Sequence, residues 1–374
     1  MSLFISLWCY SQDALHNFGN IQMHGDVQVG FHLDLINDGS FDQNMGLAGF
    51  YHSDRHLTVS GSFRPIFQDA EIMVDHDLFL EVGLGITHNA NLISGDINTP
   101  RNATDINLQF LNDAFYIGDS DITKVDGYSA KTNKSQFKFP VGDVHRICPL
   151  ELTSSNVNPY AKCAYFYEDP NAPSTFPEIF DTRSLVPVLS DISTTEYWHL
   201  DSSMESTVKL GWDSESRIGD LVRDLQNLRV VAWHKNDKIW ENLGNATVEG
   251  DLQNGYIISE AFDPNLYSII TFGAGIPPHM LSFDNLLVSA NGDGVNDSLI
   301  FEGLEVSPNN VLKIYNRWGR LVYQKDNYSN SFVGIANVNM VVDEGEHLPE
   351  GVYFYIIELF DVDLVHQGFL YVSH

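Results

Sequence analysis

The chain of 374 residues carries 50 acidic against 20 basic side chains, a formal net charge of −30. Such a surface repels phosphate backbones and anionic lipid, which disfavours nucleic-acid binding and a peripheral membrane role; divalent cations remain compatible with it. A hydrophobic fraction of 43% suffices for buried cores, the length allows two or three domains, and no run approaches the ~18–20 apolar residues of a membrane-spanning helix.

Residues 1–12 read as the remnant of a signal peptide. Leu3 to Tyr10 is apolar, and Ser11-Gln12 then gives way to Asp13, with cleavage expected near Gln12. The segment lacks a basic start, and a short apolar first strand is the alternative. Trp8 occupies the position before Cys9 where a lipidation motif needs a small residue. With the leader removed, Cys148 and Cys163 remain. An exported pair can form one disulfide, with their flanks read as strand, turn, strand; two buried thiols are the alternative.

Helical periodicity is scarce, the best window being Ile218 to Leu228, and the chain is expected to be all-β. Over 13–140, short apolar segments are cut by Asn, Asp and Gly corners: Gly30 to Phe41, Leu57 to Gly61, Ala70 to Val74, Leu78 to Val82, Leu92 to Ile97 and Ile106 to Leu111. This rhythm predicts a β-solenoid, whose rungs bury their apolar faces only by stacking. The irregular spacing leaves a β-sandwich open.

Residues 141–276 predict a β-sandwich module, with aromatics alternating in Glu196 to Leu200, Val230 to His234 and Lys238 to Gly244. Residues 277–280 follow as a linker, in which Pro277-Pro278 resists strand pairing.

Five motifs then occur in order. Asn291-Gly292-Asp293-Gly294-Val295-Asn296-Asp297 is followed by Tyr315-Asn316-Arg317-Trp318-Gly319 and Leu321-Val322-Tyr323. Leu348-Pro349-Glu350-Gly351-Val352-Tyr353-Phe354-Tyr355 opens a hairpin, and Gly368 to Val372 closes the chain's last strand. Residues 281–374 therefore resemble the gliding motility-associated C-terminal domain, the type B sorting domain of type IX secretion. Ala290 replaces the usual Pro, Phe332-Val333-Gly334 stands in place of a Trp-Asp-Gly turn, and the chain ends in Ser373-His374 rather than a basic residue. The resemblance implies handling by the type IX secretion machinery and release or attachment at a bacterial cell surface. It also implies an immunoglobulin-like sandwich of seven or eight strands. Trp318, Tyr315, Tyr353 and Tyr355 are expected in its core and strand-face contacts.

Catalytic motifs are not evident. The oxygen-bearing Asn291, Asp293 and Asp297 around a glycine turn suggest a calcium site; an Asx-turn network that hydrogen-bonds its own backbone is the alternative. His52 and His56 have metal-pair spacing for a helix, in a segment that reads as loop. Asp34, Asp69, Asp75, Asp96 and Asp105 are candidates for a glycosidase pair, against solvated turns as the default. Trp198, Trp233 and Trp240 are candidates for a sugar platform, against burial in the sandwich. The composite expectation is a noncatalytic, exported adhesin or polymer-binding protein requiring no cofactor. A secreted polysaccharide-degrading enzyme and a structural matrix component are the alternatives.

Overall fold

The computed structural model describes residues 13–276, 283, 287–292, 294–338, 347–362 and 364–373. The leader and linker readings, together with Asp293 and His374, lie outside the described residues. The chain is nearly all β and divides into two compact units: residues 1–184 with 191–273, and residues 185–190 with 274–374. Among the described residues no helix is long and apolar enough to cross a membrane.

The first unit opens with a β-solenoid of about six turns. Each turn contributes a strand to each of two parallel sheets. One sheet stacks Ala14–Asn17, Asp34–Asn37, Leu57–Ser60, Leu78–Leu80, Ile97–Asn98, Val125–Asp126 and Val141–Gly142. The other stacks Gln28–Phe31, Leu47–His52, Ile66–Val74, Leu84–Ser94, Leu108–Phe110 and Tyr128–Phe139. Strand alternation sends every second side chain inward. Register then aligns these side chains in columns. Leu57, Leu78, Ile97, Val125 and Val141 form one, and Phe31, Phe50, Ile72 and Leu92 another. All nine are buried, each contributing about 1.5–3 kcal/mol of transfer free energy before chain entropy is counted.

Corners are held by polar ladders. The buried Asn17 Nδ2 donates to Asn37 Oδ1 at 2.7 Å, and Asn37 Nδ2 donates to the Phe63 carbonyl at 2.8 Å. These first rungs thereby satisfy one another's corners, as buried amides require. Gly95 turns a corner at φ +75°, where a Cβ would sit 1.7 Å from the Val74 carbonyl oxygen. Only glycine permits both that conformation and that approach.

Tyr128–Phe139 is the last parallel strand of the second sheet. One part pairs in parallel with Leu108–Phe110, and the full strand pairs antiparallel with Leu150–Phe166. From there the sheet is antiparallel and branches. The second half of Leu150–Phe166 pairs with Tyr197–Ser202, and its first half with Ser206–Trp212. The branches pack through aromatics: Phe272 meets Trp198 edge-on at 5.6 Å and Trp212 at 6.1 Å. The expected helical window supplies one short turn, Ile218–Leu221, and a 3-10 turn, Leu225–Asn227.

The second unit holds a five-stranded sheet ordered Leu287–Ser289, Leu364–Ser373, Gly351–Leu359, Asn310–Tyr315, Leu321–Asp326. Its inner face buries Leu312, Ile314, Tyr355, Ile357 and Leu370 against Phe301, Leu304, Phe332 and Leu348. Among the described residues the covering layer is irregular rather than a second regular sheet. Side chains there take over what a strand ladder would do. Asn310 Nδ2 donates to the Ser307 carbonyl at 2.7 Å while its Oδ1 accepts the Tyr328 N–H at 2.8 Å.

Candidate ligand face and sorting groove

The outward positions of the solenoid's longer-stranded sheet form its most distinctive surface. On Leu47–His52, Ala48 and Phe50 point inward, which leaves Gly49 and Tyr51 on the outer face. The Tyr51 ring lies back over Gly49: a Cβ there would be 2.1 Å from the ring. Gly30, which pairs with Gly49 on the neighbouring strand, lies under the same ring, where an added Cβ would stand at ordinary contact distance, 3.5 Å. Two glycines thus make a shelf on which one aromatic ring rests. Tyr51 OH donates to Glu71 Oε1 at 2.8 Å, and Asn91 Nδ2 donates to Glu71 Oε2 at 3.0 Å. Burial, then the Glu71 carboxylate, pushes the phenol up to about 12, so it stays a donor. The His32 ring sits 5.7 Å from that of Tyr51. Beside them runs a shallow groove of about 430 Å³ whose lining includes His32, Tyr51, Asp54, Met73, Asp75 and Ser94. An aromatic face bordered by carboxylates, amide and hydroxyl can stack on a sugar ring and bond its hydroxyls.

The five carboxylates considered for hydrolysis each have a partner of their own. Asp34 accepts from Arg55 at 3.1 Å and from the Thr58 N–H at 2.9 Å. His88 Nδ1 lies 2.6 Å from Asp69, and Ser94 Oγ donates to Asp75 at 2.7 Å. Asp96 takes the fully buried Lys124 ammonium at 2.9 and 3.0 Å; burial pushes its carboxyl up to about 6 against that pull. Asp105 is almost wholly exposed, 3.5 Å from Lys162. His52 Nδ1 accepts the N–H groups of Asp54 and Arg55, capping its own loop, while His56 packs edge-on against Phe79. Trp198, Trp233 and Trp240 are buried in the sandwich.

Cys148 and Cys163 are free, buried thiols, so the disulfide reading gives way to its alternative. The flanks expected to form strand, turn, strand belong instead to one continuous strand, Leu150–Phe166, with Cys148 just before it. Burial pushes both thiols above their ordinary range, which suppresses the reactive thiolate.

In the second unit the motif residues build two turns and a groove. Asp297 accepts the Gly292 N–H on one carboxylate oxygen and the Gly294 N–H on the other, both at 2.8 Å. Gly292, Gly294 and Asn296 take positive φ, and the Asn296 carbonyl accepts from Ser289 at 2.7 Å. This is the self-bonding Asx arrangement; Asn291 stands at its exposed rim. Asn316 Oδ1 accepts the N–H groups of Trp318 and Arg320 at 3.0 and 3.1 Å, and Gly319 closes the turn at φ +75°. That turn carries Trp318 out of the core where it was expected. The residue is 69% exposed, and its ring lies 4.1 Å from the Arg317 guanidinium. Tyr353 and Tyr355 are buried as expected, Tyr353 OH donating to the Pro349 carbonyl at 2.8 Å, while Tyr315 is half-buried. Asn316, Arg317 and Trp318 share one groove of about 250 Å³ with Pro349, Gly351 and Tyr353. Two motifs distant in sequence therefore meet on one surface.

Residues 281–372 match the family described as the CHU_C type IX secretion signal domain. No curated protein and no solved structure compared with the chain matches it.

Proposed function

We propose that this chain, whose residues 281–372 form a type IX secretion signal domain, is an exported noncatalytic protein whose solenoid binds an extracellular polysaccharide. The observation that carries the reading is the Tyr51 ring on its Gly30–Gly49 shelf, flanked by Glu71 and Asn91. Parallel stacking sets successive rungs one strand spacing apart, about 4.8 Å, so an extended polymer lying on this face can cross several rungs.

The full chain screened on a glycan array should retain a polymer, and Tyr51→Ala should weaken that binding about tenfold, the equivalent of roughly 1.4 kcal/mol. Oligosaccharides released into solution would replace this reading with the hydrolase. A chain that multimerises and ignores every glycan would replace it with the matrix component.

The sorting groove supports a second, separate reading, in which the secretion machinery contacts the exposed Trp318 and Arg317. Large exposed aromatics beside arginine are the usual anchors of protein interfaces. Trp318→Ala should then cut the amount of chain reaching the medium or cell surface several-fold, measured by blotting fractionated cells. Undiminished export would remove the groove from the recognition surface.

A further inference from the structure

The hairpin Leu228–His234 and Trp240–Asn242 carries a second cluster of chemistry, outside the solenoid. Trp233 pairs across it with Trp240, and Ala232 with Glu241. Alternation puts the two tryptophans on one face, where they are buried, and His234 with Glu241 on the other. The connecting residues fold Asp237 back over that second face. Its N–H donates to His234 Nδ1 at 3.1 Å, and its Oδ2 lies 2.9 Å from the same nitrogen.

We infer that His234, Asp237 and Glu241 bind a divalent transition-metal ion, Zn²⁺ foremost. One ligand atom from each lies within 4.8 Å of the other two. Ligand atoms held at about 2.0–2.2 Å around a tetrahedral ion lie about 3.3–3.6 Å apart, so modest side-chain shifts would close the cluster on one. Two independent features support the site. Tyr267 OH donates to Glu241 Oε2 at 2.7 Å and leaves Oε1 for the ion, the kind of outer hydrogen bond that orients metal-binding carboxylates. Among the described residues no lysine or arginine is paired with Asp237 or Glu241. Lys235 Nζ is turned to the Asn265 carbonyl at 3.0 Å, and Lys238 Nζ to Glu178. Two carboxylates thus share a small space with no cation paired to them. An ion between His234 Nδ1 and the Asp237 carboxylate would take the place of their close contact. An imidazole among the ligands favours zinc or a neighbouring transition metal over calcium. The bound ion would staple the hairpin tip.

The test is calorimetric titration of the full-length, chelator-stripped chain with ZnCl₂, and separately with CaCl₂. One Zn²⁺ should bind, while CaCl₂ gives no competing heat. Asp237→Asn and Glu241→Gln should each weaken zinc binding by about tenfold or more. Asp237 is exposed and its carboxylate is ion-paired with His234 alone among the described residues, so its variant should keep the fold, which circular dichroism checks. A wild-type chain that binds no zinc overturns the inference. So does an Asp237→Asn chain that binds zinc as tightly as wild type, because the metal would then sit on other histidines.

Discussion

Replacing Arg146 by alanine should lower the stability of the first unit by about 3–5 kcal/mol, among the largest single effects available in this chain. Its guanidinium joins four segments that are remote in sequence. Nη2 donates to Glu196 Oε2 at 2.6 Å and to Tyr165 OH at 2.7 Å, and Tyr165 OH donates to the same Glu196 oxygen at 2.6 Å. Nη1 reaches Asp213, whose carboxylate also caps the turn Ser214–Ser216. The side chains of Arg146 and Glu196 are 9% and 0% exposed. Desolvation pushes the Glu196 carboxyl up and Arg146 pulls it down. Alanine at 146 would remove that pull and leave a buried carboxylate with only the Ser216 and Tyr165 hydroxyls to hold it. The penalty is the uncompensated charge rather than the worth of the pair, so Arg146→Leu combined with Glu196→Leu should recover most of the loss. Urea unfolding followed by tryptophan emission would measure both, because the Trp198 ring lies 5.3 Å from that of Tyr165. Equal destabilisation by the single and double variants would show that packing, not charge, dominates at this site.

That network shows why some of the molecule could be read from its sequence and some could not. Local signals carried far. The β-run and corner rhythm of Leu57–Ser60 and Leu78–Leu80 gave the solenoid, and the motif turns gave the sorting domain. Columns were hidden because their members are unequally spaced. A single residue, Gly127, separates Val125–Asp126 from Tyr128–Phe139, whereas a long excursion separates Ile97–Asn98 from Leu108–Phe110. Arg146, Glu196 and Asp213 carry no common pattern, since tertiary folding alone brings them together. Tyr51 left a faint trace in Gly49 two residues before it, which marks room on the same strand face. The other half of the shelf, Gly30, depends on register. Trp318 misled because a turn rather than a strand positions it: the Asn316 side chain binds the backbone there and turns the ring to solvent.

Acidification between about pH 6.5 and pH 4 should destabilise the first unit through His199 by up to about 3 kcal/mol. Burial pushes this imidazole down to about 4, and the Tyr128 OH, 2.7 Å from Nδ1, holds the neutral ring in place. In the unfolded chain the same ring titrates near its ordinary value of about 6.5. Between those values the unfolded state binds the proton that the folded state refuses. Stability from this group is therefore complete above pH 6.5 and falls as pH drops toward 4. Asp96 acts in the opposite sense. Its folded value of about 6 lies above the ordinary carboxyl value, so acid over that range favours the folded state through this group. Wild-type curves alone would mix the two. The difference between wild type and His199→Gln isolates the histidine, since glutamine retains a hydrogen-bond acceptor and does not titrate. Urea midpoints measured from pH 7.5 to pH 4 should converge or cross for the two proteins as the pH falls. Parallel curves would mean that His199 protonates as readily folded as unfolded, and that its burial imposes no acid sensitivity.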